Sequence, residues 1–261
     1  MAEITENPRQ FQPIRPPEAE VILCGRGRVN FPWKFTRRVP FWFLYCNTEP
    51  GACLEFSDRT LRPDADEIIL IPPFTRFRSS CEHPFDHLYV HFAAGRPFSQ
   101  VTPGPIVLKR SVAATPLQQI FHAETPPAAA VYALLFTALC AIPEERFAAP
   151  ETPVDDRIQR ALSMMSRGMD NAALCAAVGM SISNFQRKFK QTTGISPRRC
   201  AMQLRLEKAR CSLISGETDI CRIARECGFA DRYAFSKAFK KYTGIPPARY
   251  RLRKAESEEE L

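Results

Sequence analysis

The chain has 261 residues, 45% of them hydrophobic and 25% charged, which is enough for two domains of ordinary size, each with a buried core. No apolar run approaches the twenty or so residues of a membrane helix, and the polar, proline-rich stretch 1–17 lacks the apolar centre of a signal segment, so a helical membrane protein is excluded and a cytoplasmic location expected. The ten cysteines are scattered with no C-x-x-C pair, which excludes a disulfide framework and fits a reduced compartment.

The net charge of +8 is unevenly spread. Residues 154–254 hold 21 Lys/Arg against 8 Asp/Glu, residues 1–153 hold 15 against 16, and the tail adds Glu256, Glu258, Glu259 and Glu260. A basic excess confined to one half is the footprint of a phosphate-binding surface.

After a polar arm (1–20), the text from Val21 to about Val107 changes every few residues, as short strands do. Phe41–Cys46, Ala52–Phe56, Glu67–Ile71 and His87–Phe92 are rich in β-branched and aromatic residues and are separated by turn formers such as Thr48–Gly51 and Arg62–Asp66. This spacing predicts an antiparallel β-barrel or jelly roll. Helices follow at about 116–122 and 127–142. In the second, Val131, Leu134, Leu135, Ala138, Leu139 and Ile142 share one face, either to pack on the barrel or to form a homodimer contact. The first domain thus spans 21–142, and the charged, proline-rich segment 143–153 reads as a linker.

The remainder is helical and says nearly the same thing twice. Gly179, Phe185, Phe189-Lys190 and Thr193-Gly194-Ile195 return as Gly228, Phe235, Phe239-Lys240 and Thr243-Gly244-Ile245. After an opening helix from about Asp155, each copy reads as helix, glycine turn, helix. Asp170, Ser181, Thr218 or Asp219, and Asp231 stand as N-caps, and Ser196-Pro197 opens a long connecting helix to about Ile214. Residues 154–254 therefore form an all-α tandem helix-turn-helix domain, followed by an acidic tail (255–261); the fold class is α+β multidomain. Cys175, Cys211 and Cys221 fall in apolar helical patterns as small core residues.

Two such units on a basic background point to double-stranded DNA. Phe185 with Phe189, and Phe235 with Phe239, lie four apart on one face and anchor each second helix. The opposite face offers Ser183, Asn184, Gln186, Arg187 and Lys190 in the first unit. The second offers Arg232, Tyr233, Ser236, Lys237, Lys240 and Lys241. Asn and Gln pair bidentately with adenine, Arg and Lys with guanine, and Arg187 and Lys237 hold the same place in the two copies. A rigid connector of about 25 Å sets the two helices to enter successive major grooves without dimerisation.

The segment IARECGFADRYAFSKAFKKYTGIPPARYR (223–251) closely resembles the C-terminal signature of AraC/XylS-type transcription regulators, and GMSISNFQRKFKQTTGISPRRC (179–200) with QLRLEKAR (203–210) resembles that family's first unit and linking helix. The resemblance implies base-reading faces at Ser183, Asn184, Gln186 and Arg187 and at Arg232, Tyr233 and Lys237. It also implies RNA polymerase as a protein partner. Trp33 with 37–40, Leu70–Pro73 and His87–Phe92 resemble the cupin-like N-terminal domain that in this family binds a small effector, often a sugar. Relatives place Gly-Thr-x-His after the paired prolines, where this chain has Phe74-Thr75-Arg76-Phe77. In such barrels polar metabolites sit over aromatic walls, and Trp33, Arg37, Arg38, Trp42, Tyr45, Arg76, His87 and His91 are the candidate effector residues.

His83, His87 and His91 are spaced to share one face of a strand, yet the H-x-H, Glu and later His of a cupin metal site are missing, so no metal, cofactor or catalytic residue is expected. The alternation sets Leu88, Val90 and Phe92 on one face of a half-wet strand and His87, Tyr89 and His91 on the other. The function expected is effector-dependent transcription regulation. The alternatives are a ligand-independent or thiol-redox regulator acting through Cys24 or Cys81, and a DNA-binding cupin metalloenzyme.

Overall fold

The computed structural model describes residues 19–29, 35–37, 39–147, 156–166, 169–214 and 219–251. The arm before Ala19, most of the expected linker and the acidic tail lie outside them. The N-terminal half forms strands β1 (Ala19–Val29), β2 (Phe35–Arg37), β3 (Trp42–Asn47), β4 (Ala52–Glu55), β5 (Thr60–Leu61), β6 (Glu67–Ile71), β7 (Phe77–Cys81), β8 (Phe85–Ala94) and β9 (Ile106–Lys109). Helices α1 (Ala114–His122) and α2 (Ala128–Cys140) follow.

The strands make two antiparallel sheets, one in the order β1-β8-β3-β6-β9 and the other β2-β7-β4-β5. They pack face to face, with the Phe43 and Phe77 rings 5.3 Å apart edge-on. Among the described residues no ladder joins the two sheets, so of the expected barrel or jelly roll the fold takes the two-sheet form and does not close into a barrel. The physical reason lies in the chain beyond it: the apolar space between the sheets is capped by helices, not by further strands.

Side-chain alternation gives the central strands β8, β3 and β6 two buried faces. Trp42, Leu44, Cys46, Ile68, Leu70, Leu88, Val90 and Phe92 pack outward beneath α1 and α2. The apolar stripe of α2, Val131 to Ile142, is spent on this contact, leaving Tyr132 and Cys140 on the exposed side. The inner face carries Phe43, Tyr45, Ile69, Ile71, Phe85 and Tyr89. The expected half-wet strand is therefore wrong in its setting though right in its alternation: β8 is covered on both faces.

The C-terminal half forms α3 (Asp156–Ser166), α4 (Asn171–Ala177), α5 (Ile182–Thr193), α6 (Pro197–Ile214), α7 (Ile220–Glu226) and α8 (Arg232–Thr243). Its first unit has no core of its own. Ile158, Leu162, Leu174, Phe185, Phe189 and Leu204 belong to the same buried cluster as the inner face of the sheets, and α3 packs on β8 and α6 on β1. The second unit, with Leu206, Leu213, Ile223, Phe235 and Phe239, makes a separate cluster.

Polar groups lie deep in the shared interior. His87 and Asn47 are 4% and 1% exposed, and the ring nitrogen Nδ1 of His87 donates to Oδ1 of Asn47 at 2.8 Å. Burial, with the nearby His91 and Arg210, pulls the His87 imidazole down from 6.5 to about 3. The neutral ring is thus built into the fold. On unfolding His87 takes up a proton below about pH 6.5, so its contribution is full above that pH and is lost as pH falls toward 3.

Two measurements test this architecture. In denaturation followed by tryptophan fluorescence and circular dichroism, Phe185→Ala lowers stability by about 3–5 kcal/mol and moves the sheet and helix signals together; separate transitions would contradict the shared core. In His87→Gln, the loss of stability between pH 6.5 and 3 is shallower than in the parent chain by up to about 1.4 kcal/mol per pH unit. An unchanged slope would show that His87 titrates in the folded protein.

Candidate nucleic-acid interface and its link to the sheets

Each helix-turn-helix unit is held in shape by the same local devices. Gly179 (φ 63°) and Gly228 (φ 72°) make the turns in the left-handed region open to glycine. Ser181 Oγ accepts from the Asn184 amide at 3.4 Å, and Asp231 Oδ1 from the Ala234 amide at 2.7 Å, starting α5 and α8. At the far ends Thr193 Oγ1 donates to the Phe189 carbonyl (2.7 Å) and Thr243 Oγ1 to that of Phe239 (2.9 Å), just before the terminating Gly194 and Gly244. Asp219 caps α7, its carboxylate accepting from the Cys221 amide at 2.8 Å.

With Phe185, Phe189, Phe235 and Phe239 all buried, the opposite faces turn to solvent. Ser183, Gln186, Arg187 and Lys190 are exposed on α5 and Asn184 half-buried; Arg232, Tyr233, Lys237, Lys240 and Lys241 are exposed on α8 and Ser236 half-buried. All eleven expected DNA-facing residues thus lie on two open helix faces. The faces differ in state. Arg187 donates to Asn184 Oδ1 (2.9 Å) and Gln191 Oε1 (3.3 Å), a self-paired polar row, whereas Tyr233 stands 78% exposed. The 18-residue connector α6 spans about 27 Å at 1.5 Å per residue.

Sequence reasoning missed the polar cluster on the buried side of that connector. Glu207, on α6, is fully buried. Its Oε2 lies 3.2 Å from Nδ1 of His91 on β8 and 3.2 Å from Nε of Arg210 one turn on, while its Oε1 accepts from the Tyr242 hydroxyl of α8 at 2.5 Å. The Arg210 guanidinium stacks over the Tyr89 ring at 5.4 Å. Burial disfavours its charge, but the carboxylate of Glu207, aided by the hydroxyls of Tyr250, Tyr89 and Tyr242, holds it protonated well above the ordinary arginine range. His91 is boxed by the Phe43 and Phe41 rings at 4.5 and 5.5 Å. One signal pointed here: Glu207 is the only carboxylate between Asp170 and Glu217.

Of the candidate effector residues, the structure brings together Tyr45, His87 and His91 on the inner sheet face, with the Tyr45 and His87 rings 4.7 Å apart. Trp42 lies on the other face, stacked on Phe92 beneath the helices, because neighbouring strand residues point oppositely. Arg76 is exposed in the loop before β7. Arg37 ends β2, its side chain outside the described residues, as are Trp33 and Arg38. Phe74 takes φ 62°, the left-handed conformation, at the place where relatives carry glycine. His83 sits exposed in the turn between β7 and β8, apart from His87 and His91. Among the described residues no three His, Cys, Asp or Glu side chains converge as metal ligands would.

Cys175 is buried as expected, but Cys221 is exposed, because it falls on the outer side of α7; the side chain of Cys211 lies outside the described residues.

Comparison with known proteins follows this division. Residues 174–253 match the family described as a helix-turn-helix domain. The raffinose operon transcriptional regulatory protein of Pediococcus pentosaceus is 36% identical over 86 residues, covering 33% of this chain and 31% of that protein. The arabinose operon regulatory protein of Escherichia coli is 31% identical over 104 residues, 38% of this chain and 36% of the other. The chain thus spans about a third of the length of these curated relatives. Over both halves the fold is like that of ToxT from Vibrio cholerae, with a TM-score of 0.62, covering 88% of this chain and 97% of that one at 13% identity. Among the described residues no helix is long and apolar enough to cross a membrane. The capped, glycine-turned repeat of α4 to α8 and its curated relatives agree: the C-terminal region of this chain is an AraC-type helix-turn-helix domain.

Proposed function

We propose that the chain is a sequence-specific DNA-binding transcription regulator whose N-terminal sandwich responds to a small-molecule effector. The observation that carries this reading is the pair of open helix faces, α5 and α8, seated on buried phenylalanines and carrying Arg187 and Lys237 at equivalent positions. Phosphate contacts from the surrounding lysines and arginines give affinity, and the groove-facing side chains give sequence. An effector acts by binding one arrangement of sheets and helices better than another. The interior between the sheets, where Tyr45, His87 and His91 meet, is the proposed seat.

The named relatives regulate raffinose and arabinose operons, which supports a carbohydrate; one ToxT structure holds an unsaturated fatty acid, which supports an apolar acid. Aromatic walls with a few buried polar groups fit either. RNA polymerase is the proposed protein partner, and the cytoplasm the proposed location. A homodimer through 127–142 would use the Tyr132 side of α2, since the opposite stripe packs on the sheet. No reaction is assigned to the chain. The thiol-redox reading is disfavoured, because burial pushes the Cys24 thiol up to about 11 and also raises that of Cys81, away from the reactive thiolate.

The test begins with selection of bound duplexes from a random-sequence pool by the full chain. Arg187→Ala and Lys237→Ala should each weaken binding to the selected duplex by about 1–3 kcal/mol with unchanged circular dichroism. Lys240→Ala should weaken all duplexes alike and lower the slope of log affinity on log salt by about 1. Failure to enrich any sequence would overturn the reading. For the effector, thermal shift belongs on the full chain, because cutting near residue 150 would strip Ile158, Phe185 and Leu204 from the shared interior. A sugar or fatty acid at about 100 times its Kd should add about 2.7 kcal/mol of stability. Silence from both classes would favour a ligand-independent regulator.

A further inference from the structure

We infer that Glu207 is a positioning residue for DNA binding: through it the N-terminal sheet sets the orientation of the second recognition helix, α8. This rests on the reading of the chain as a DNA-binding regulator and adds to it a route between its halves.

The two units are tied to the sheets by different physics. The first shares one apolar cluster with the inner sheet face, through Ile158, Leu162, Phe185 and Leu204. Such packing is non-directional. The second unit keeps its apolar residues in a separate cluster. Its polar connection to the sheet centres on one carboxylate, with Arg210 stacked on Tyr89 of β8 beside it. Glu207 Oε2 faces His91 of β8 and Arg210, and Oε1 accepts from Tyr242 in the last turn of α8. The hydrogen bond from Tyr242 depends on direction, the 3.2 Å contacts of Oε2 depend steeply on distance in a dry interior, and both Glu207, at 0% exposure, and His91, at 1%, sit where water does not compete. A change in where β8 carries His91 is therefore felt at Tyr242. It shifts the exposed face bearing Arg232, Tyr233 and Lys237 relative to α5, which the apolar cluster seats. Neither reading face is covered by this contact, so its effect is on the relative placement of the helices and not on access to them.

The experiment uses the full chain and a duplex that the wild-type chain selects from a random pool. Arg187→Ala and Lys237→Ala first identify which segment of the duplex each helix reads. His91→Gln and Tyr242→Phe are then compared with the wild type on three duplexes: intact, scrambled in the α5 segment, and scrambled in the α8 segment. Glu207→Gln joins them if it folds; Tyr242→Phe removes one hydroxyl only and keeps the test open if it does not. The expected result is a loss of at least fivefold on the intact duplex. Scrambling the α8 segment then costs the variants correspondingly less than the wild type, and scrambling the α5 segment costs all of them the same. The telling case is His91→Gln, a change in the sheet that alters reading by α8 alone. Equal weakening at both segments, as a purely structural role would give, overturns the inference, as does unchanged binding by both variants. If the wild-type chain enriches no sequence, the DNA-binding reading itself falls; if it enriches one and the variants behave as wild type, only this inference falls.

Discussion

One buried carboxylate holds the architecture together. A glutamate removed from water is stable only if its charge is met and its oxygens are occupied, and leaving such a group without its partners costs about 3–5 kcal/mol. Glu207 draws on three side chains: its Oε2 lies 3.2 Å from Arg210 of its own helix and from His91 of the larger sheet, and its Oε1 accepts from Tyr242 of α8. No one element supplies all three. The charge is therefore satisfied only when sheet, connector and second unit are assembled together, and its neighbours, Tyr89 stacked on Arg210 and the phenylalanines around His91, are arranged to exclude water from it.

Around this point the apolar interior runs without a break from the sandwich into the first helix-turn-helix unit. Close-packed interiors transmit strain because they have few voids to absorb it. A change in spacing between the two sheets is thus also a change in the seat of α3 and α6. This gives a physical basis for an effector response that needs no long-range conduit. The outer face of the larger sheet, sealed under α1 and α2, forms a second cluster.

The two recognition units share a frame but not a surface. Caps, glycine turns and threonine back-bonds recur in both. On α5 the arginine is paired with Asn184 and Gln191 in hydrogen bonds within the helix. On α8 Tyr233 instead holds its ring out in solvent. One frame thus presents two chemistries on two exposed helix faces.

Much of this was legible in the residues. The tandem repeat, its glycines and caps, the buried phenylalanines and the exposed faces follow from local rules of helix periodicity, capping and turn geometry, which act within a few residues and so are written in sequence. The alternation of β8 was legible for the same reason. Whether the sheets close into a barrel was not, since that depends on what covers the interior, and the helices that do so lie more than forty residues beyond the last strand. Nor was the exposure of Cys221, which depends on which face of α7 meets the core. The sequence alone determined two chemistries in two halves: aromatic strands, and a basic helical repeat. Only the tertiary structure decided that these halves share a core and that Glu207, a lone acid on a basic helix, faces inward. Burial of a charge is settled by partners distant in sequence, and no local pattern encodes where those partners will stand.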